Sequence, residues 1–81
     1  MSEETSMFDV QILKDELIKQ TLNEVCEALK ERGYDPFNQI SGYLISGDPG
    51  YISSYKNARD KITNLDRSEI VKVMLESFME K

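Results

Sequence analysis

The 81-residue sequence predicts an all-α fold, a small bundle of about four helices that forms an intertwined homodimer. Three observations predict it. Apolar residues recur at helical spacing, Asp and Gly residues stand where helices would start and end, and the C-terminal segment is more apolar than one small core can cover. A chain this short buries only about 60–65% of its unfolded surface, so we expect a partner chain to add stability. We expect a flexible acidic tail at residues 1–9 and a single helical domain at residues 10–81.

The first helix is predicted over about residues 12–32. Its apolar side chains recur in steps of four, three and four residues: Ile18, Leu22, Val25 and Leu29. This spacing places them on one helix face. The acidic residues of the segment fall on the opposite face: Glu16, Glu24, Glu27 and Glu31. Gly33 suits the left-handed position that follows a helix end.

The second helix is predicted to start at Asp35-Pro36, a favoured N-cap followed by proline, and to end at Gly47. Five residues of this segment follow the 3.6-residue helical period: Phe37, Ile40, Ser41, Leu44 and Ile45. Gly42 costs a helix about 1 kcal/mol relative to Ala. We therefore expect another backbone to approach closely at that position.

Two more helices are expected in the C-terminal half. Asp48-Pro49 repeats the Asp-Pro start signal, and Gly50 limits it to a turn or one short helical turn. A third helix is expected from about Tyr55 to Asn64. The residues 66–69 have the spacing of a capping box and open a last helix that runs to about Glu80.

The last helix is apolar around more than one narrow face. Seven of its residues are apolar: Ile70, Val71, Val73, Met74, Leu75, Phe78 and Met79. One small core cannot bury all of them, so we expect part of this surface to contact a second copy of the chain.

The composition excludes most catalytic chemistry. The chain has no histidine and one cysteine, so it holds no Ser-His or Cys-His pair and no His or Cys-rich metal site. We therefore expect no enzyme, no cofactor and no metal. Cys26 lies between Glu24 and Glu27 and is expected to be an unreactive thiol at the edge of the core. The N-terminal residues carry acids but no base and no long apolar run, so we expect no signal peptide and a cytoplasmic location.

A net charge of −5 argues against nucleic-acid binding, although two helices around Gly47 would resemble a helix-turn-helix. A helical nucleic-acid-binding module therefore stands as the alternative function. Lys56 and Arg59 lie in a segment with a local positive charge and are candidate contacts for an anion or a partner. The plain interpretation is a charged helix face on which Lys56 pairs with Asp60 four residues later.

Thr5 follows two acidic residues ahead of the first helix and is a candidate phosphoacceptor. Phosphorylation would add a charge of about −1.5 to −2 to an already acidic segment. By composition alone, Thr5 is an ordinary tail residue.

The run GYDPFNQISGYLISGDPGYI at residues 33–52, with Asn57-Ala58-Arg59 downstream, resembles the IreB-type regulatory phosphoproteins of Gram-positive bacteria. The resemblance implies a helical homodimer that is phosphorylated by a membrane Ser/Thr kinase with extracellular PASTA modules and is acted on by the corresponding phosphatase. It also implies a role in cell-wall stress and antibiotic tolerance. The downstream partner would be a peptidoglycan-synthesis enzyme or the protease that removes it.

The resemblance also assigns individual positions. Thr5 matches one of two tail threonines that accept phosphate in the family, and Ser2 stands at the other, as a candidate second phosphoacceptor. Arg59 matches a family arginine, whereas Ser53-Ser54 replaces a Pro-Arg pair. Three polar residues also match the shared pattern: Asn38, Gln39 and Asp48. Helix caps or dimer contacts would explain these three residues without a ligand.

Overall fold

The computed structural model describes the backbone of residues 3–80 and the side chains of residues 10–80. Within this range the chain is helical and contains no strand, which confirms the all-α prediction. The elements in chain order are α1 (Glu3–Glu31), α2 (Pro36–Ser46), a first 3-10 turn (Pro49–Tyr51), a second 3-10 turn (Tyr55–Asn57), α3 (Ala58–Thr63) and α4 (Arg67–Met79).

The longest element, α1, packs along the predicted apolar face. Ile18, Val25 and Leu29 are buried on it. The helix ends where the sequence predicts, because Gly33 has φ 81° and Tyr34 N donates to Leu29 O at 2.9 Å, as in a Schellman ending.

The start of α1 differs from the prediction, since its backbone is helical from Glu3 and not from about residue 12. Periodicity missed residues 3–11 because it detects only the packed part of a helix. Once a packed turn exists, extending the helix adds one hydrogen bond per residue, and acidic residues suit the positive N-terminal end. The flexibility of residues 1–9 stays a prediction.

Both predicted ends of α2 are confirmed. Asp35 Oδ1 accepts a hydrogen bond from Phe37 N at 3.0 Å, which makes Asp35 the N-cap. At the other end Gly47 has φ 77°, and its N–H donates to Tyr43 O at 2.7 Å. Glycine occupies this left-handed position because it has no Cβ to clash.

Only part of the helical period of α2 packs against the core. Ile40 is buried and Leu44 packs against the core, but Phe37 and Ile45 are 83% and 85% exposed. Tyr43 takes the inward position between them and is 5% exposed. Phe37, Ser41 and Ile45 are helical, as their period predicts, but they are exposed, because spacing does not show how wide a strip the neighbouring helix covers.

The segment after Gly47 forms one 3-10 turn, as predicted, and Asp48 Oδ1 accepts from Gly50 N at 2.8 Å. The next α-helix begins only at Ala58, so the prediction of two helices arranged as a helix-turn-helix around Gly47 was wrong. The expected start of the third helix at Tyr55 was also wrong, because Tyr55 opens a separate 3-10 turn.

The N-cap of α4 is Asp66, within the predicted capping segment. Its Oδ1 accepts from Ser68 N at 2.9 Å and from Ser68 Oγ at 2.7 Å. These two hydrogen bonds hold the pKa of Asp66 below its usual value. The helix ends at Met79, one residue from the predicted end.

One core joins all four α-helices. The most completely buried side chains belong to α1, the loop before the second 3-10 turn, α3 and α4: Val25, Leu29, Ile52, Ile62 and Ile70. Ile52 fixes the irregular segment against the helices, since it is fully buried between the two 3-10 turns. None of the helices described has the length and apolarity needed to cross a bilayer.

Gly42 allows an aromatic ring to approach α2. A Cβ added at Gly42 would lie 2.5 Å from Cε1 of Tyr51, closer than real side chains pack. Gln39 Nε2 donates to Tyr51 O at 2.8 Å and holds the residue that carries the ring. A close approach at Gly42 is therefore present, but it is made by a side chain and not by the backbone that the sequence led us to expect.

Gly42→Ala is expected to destabilise the fold by about 1–2 kcal/mol, because the overpacking at Tyr51 outweighs the helix propensity that alanine adds. The free energy of unfolding in urea measures the effect. Ser41→Ala, one residue earlier on the exposed side of α2, is the matched control and should change stability little. A Gly42→Ala variant more stable than the parent chain would contradict the close approach.

Candidate functional site

Lys56, one of the two predicted anion contacts, is bound to the C-terminal end of α1. Its Nζ lies 3.0 Å from Oε1 and 3.1 Å from Oε2 of Glu31. The hydroxyl of Tyr55 donates to Glu31 Oε1 at 3.0 Å. The Glu31 carboxylate therefore joins both residues to α1.

The backbone at this point is left-handed. Lys56 has φ 52° and Asn57 has φ 62°, values that are uncommon for residues other than glycine. Because this kink separates the second 3-10 turn from α3, Lys56 is not on the same helix as Asp60. The predicted Lys56–Asp60 pair was wrong, and Glu31 takes its place. Strained backbone of this kind tends to occur at functional sites.

Arg59, the other predicted contact, lies at the start of α3. Its Nε donates to Ile52 O at 2.9 Å, which ties α3 to the preceding loop, and the residue remains exposed. On the α1 side, the guanidinium carbon of Arg32 lies 5.2 Å from the centre of the Tyr55 ring. Lys56 Nζ lies 5.6 Å from the same centre. Two cations therefore contact one aromatic ring.

We call this group the basic corner: Arg32, Tyr55, Lys56 and Arg59, with Glu31 between them. It adjoins a cleft of about 360 Å³ between α1 and α3, in which Lys61 Nζ pairs with Glu24 Oε1 at 3.3 Å.

The contacts of Glu31 change two pKa values. The hydrogen bonds from Lys56 and Tyr55 lower the pKa of Glu31, and the hydrogen bond to Glu31 raises the pKa of Lys56. The corner thus contains one exposed ion pair, Lys56–Glu31, with the guanidinium of Arg32 on the adjoining Tyr55 ring.

Sequence reasoning found Lys56 and Arg59 but missed Glu31. Glu31 was interpreted as one member of a solvated acidic face, because its partner Lys56 is 25 residues away in the chain. Nothing local marks that pairing, since it depends on how the second 3-10 turn folds back on α1.

The motif residues are engaged within the chain. Asn38 Nδ2 donates to Asp35 Oδ2 at 2.9 Å, and Gln39 donates to the backbone of Tyr51. Asp48 caps the first 3-10 turn. Helix capping, one of the two predicted explanations, accounts for Asp48 and for the contact of Asn38 with the N-cap, whereas Gln39 anchors the loop, which was not predicted.

Cys26 lies at the boundary of the core, as predicted. It is partly buried and packs against the core cluster. Burial raises the pKa of the thiol, Lys30 opposes this effect and Glu27 adds to it. Raising the pKa disfavours the reactive thiolate at neutral pH. Within residues 10–80, no group of three or more acidic or cysteine side chains is placed to hold a metal ion.

A second surface, the apolar face of α4, is uncovered. Ile70 and Val73 are buried, but the remaining apolar side chains are 40–77% exposed: Val71, Met74, Leu75, Phe78 and Met79. Met74 and Phe78 also line an open groove of about 800 Å³ with Leu22 and Phe37. Apolar patches of this kind mark binding sites on small proteins.

The two candidate phosphoacceptors lie at the N-terminal end. Thr5 belongs to the helical backbone of α1, in its first turn, and its side chain lies outside the described residues. Ser2 lies outside the described residues altogether.

The Glu31 contacts predict a pH dependence. A lowered folded-state pKa means that Glu31 adds stability above its unfolded pKa of about 4.5 and that this contribution is lost as the pH falls through the folded pKa. The urea midpoint should therefore drop more between pH 6 and pH 3 in the parent chain than in Glu31→Gln. Glu76→Gln on α4 is the control and should behave as the parent. Equal drops in the parent and in Glu31→Gln would show that the carboxylate makes no such bonds in solution.

Comparison with known proteins gives two concordant results. The family model described as "IreB regulatory phosphoprotein" matches residues 3–80 of the chain. A protein named "UPF0297 protein" from Ruminiclostridium cellulolyticum is 47% identical over 77 residues, which cover 95% of this chain and 88% of that protein. The match includes the N-terminal turn of α1, the motif and the basic corner. The chain belongs to the IreB family of regulatory phosphoproteins.

Proposed function

We propose that this chain is a non-enzymatic, cytoplasmic regulatory phosphoprotein and a homodimer, modified at Thr5 by a membrane Ser/Thr kinase with extracellular PASTA modules. Its signal would concern cell-wall stress and antibiotic tolerance, with a peptidoglycan-synthesis enzyme or its protease downstream. The single observation that carries the proposal is the family match, which runs from residue 3 to residue 80 and includes Thr5.

The position of Thr5 supports a phosphorylation switch. Residue 5 lies in the first turn of α1, where backbone N–H groups without helical partners favour negative charge. A phosphate there adds strong acceptors and a charge of about −1.5 to −2. Among the side chains that the structure describes, from residue 10 onward, the first buried one is Ile18, thirteen residues after Thr5.

The apolar face of α4 supports the homodimer. Its exposed residues recur at positions 71, 74, 75 and 78, the spacing of a helix stripe that packs on another helix. No large clusters of charge interrupt this stripe, and a small chain gains much of its buried surface by association.

Incubation with the cognate kinase and ATP, followed by peptide mass mapping, is expected to place one phosphate within residues 1–9, at Thr5. Thr5→Ala should lose this modification, and Ser2→Ala should keep it. Phosphate found only outside residues 1–9 would contradict the assignment. If the phosphate remains in Thr5→Ala and is lost in Ser2→Ala, the phosphorylated residue is Ser2 and not Thr5.

Sedimentation at micromolar concentration is expected to give twice the chain mass of 9.3 kDa. Phe78→Ser should weaken association at least about tenfold, because a large exposed aromatic side chain dominates an apolar interface. Ser77→Ala, its exposed neighbour, is the matched control. A parent chain that sediments as a clean 9.3 kDa monomer would contradict the homodimer.

A further inference from the structure

The candidate phosphoacceptor and the basic corner lie at opposite ends of one helix. The 29 residues of α1 run without a break from Glu3 to Glu31. At a rise of 1.5 Å per residue, residues 5 and 31 are about 39 Å apart along the axis. The longest dimension of the molecule is 47 Å, so the two positions are separated by most of its length.

The basic corner is fixed at the residue-31 end by direct bonds. Lys56 lies 3.0 Å from Glu31, and Tyr55 donates to the same carboxylate. Arg59 is bound through Nε to the backbone of Ile52 in the same segment. These cations cannot move toward the N-terminal end of α1 without unfolding the second 3-10 turn and α3.

Unwinding the first turns of α1 would not close the gap. Residues 5–9, fully extended, span at most about 17 Å. Residues 10 and 31 are about 32 Å apart along the remaining helix. Charge cannot act over such a distance either, because the Debye length at physiological salt is about 8 Å. While α1 stays helical from residue 10 onward, a phosphate on Thr5 therefore cannot contact the basic corner of its own chain.

We propose that phosphorylated Thr5 acts in trans: its phosphate binds the basic corner of a second copy of this chain and replaces Glu31 as the partner of Lys56. The inference rests on the proposed modification of Thr5 and adds the surface that binds the phosphorylated residue. It also replaces the simpler mechanism in which a modified tail meets Lys56 and Arg59 of the same molecule.

The chemistry of the corner fits an exchange of anions. The side chains of Lys56 and Glu31 are 57% and 44% exposed, so the ion pair is open to solvent and to a competing anion. A phosphate dianion carries more charge than a carboxylate and more acceptor oxygens, and it can contact Lys56 and an arginine together. Arg32 lies over the same Tyr55 ring as Lys56, and Arg59 follows Lys56 by three residues in the chain.

A second copy is the occupant that the observations favour. The same chain carries both halves of the contact, an acidic N-terminal turn with Glu3 and Glu4 and the cations of the basic corner. Association of two copies would raise the effective concentration of one half at the other.

Mixing two populations of the full chain tests the proposal. The acceptor is ¹⁵N-labelled and carries Thr5→Ala, so that it cannot be phosphorylated there. The donor is unlabelled, carries phosphothreonine installed at residue 5 during synthesis, and has Lys56→Gln and Arg59→Gln. We expect the acceptor amides of Glu31 and residues 55–59 to shift on addition of this donor, and to stay unchanged with the same donor lacking phosphate.

Substitutions in the acceptor sharpen the test. Lys56→Gln should abolish the shifts, whereas Lys72→Gln on α4 should keep them and serves as the control for loss of one positive charge. Glu31→Gln should lower the donor concentration at half-maximal shift about threefold, because the competing carboxylate is gone. Retained amide spectra of each variant show that it is folded.

Two outcomes would overturn the proposal. One is an acceptor whose basic-corner amides do not respond to the phosphorylated donor. The other is a chain with both phosphothreonine and an intact corner that shows the full shifts at every dilution, including those at which it is monomeric. Failure of the kinase to modify Thr5 would instead refute the proposed function, and mass mapping detects it separately because the phosphothreonine here is installed without the kinase.

Discussion

The burial of α1 along only part of its length is the constraint on which the rest of the structure depends. Val25 and Leu29 have no exposed surface, because the shorter helices pack around this half of the helix. Val10, Leu13 and Leu17 are each more than half exposed. Residues 10–17 are therefore held mainly by helix continuity. The packed half, by contrast, fixes where the loop, the basic corner and α4 lie.

The helix ends could be predicted from the sequence because each depends on a few neighbouring residues. Asp35, Asp48 and Asp66 all accept a hydrogen bond from the N–H two residues later, and this requires only a local turn. Phe37 and Ile45 show where such reasoning fails. Their spacing is helical and apolar, but whether a face is covered depends on the width of the neighbouring helix, which no local pattern contains.

Of the candidate site, only the positively charged residues could be predicted from the sequence. Lys56 and Arg59 stand out by charge, but the structure defines the site through Glu31 and the left-handed backbone at Lys56. The left-handed conformation is unfavourable for a lysine, so the local sequence does not predict it. It forms because Ile52 is buried on one side and the Glu31 carboxylate receives Lys56 and Tyr55 on the other. Both conditions are tertiary, so the sequence could not show them.

A regulator of this kind must act through surfaces that its own core leaves free. The motif residues are bonded within the chain: Asn38 to the N-cap of α2, and Gln39 and Asp48 to the loop between α2 and α3, so their contacts are explained without a ligand. The free surfaces are the apolar face of α4, the basic corner and the N-terminal part of α1. They are spread over a molecule 47 Å long, so one small partner could not contact all three at once. In the proposed mechanism, helix α1 keeps the modified residue and the basic corner of one chain apart, a second copy of the chain brings the two together, and assembly is the step that phosphorylation regulates.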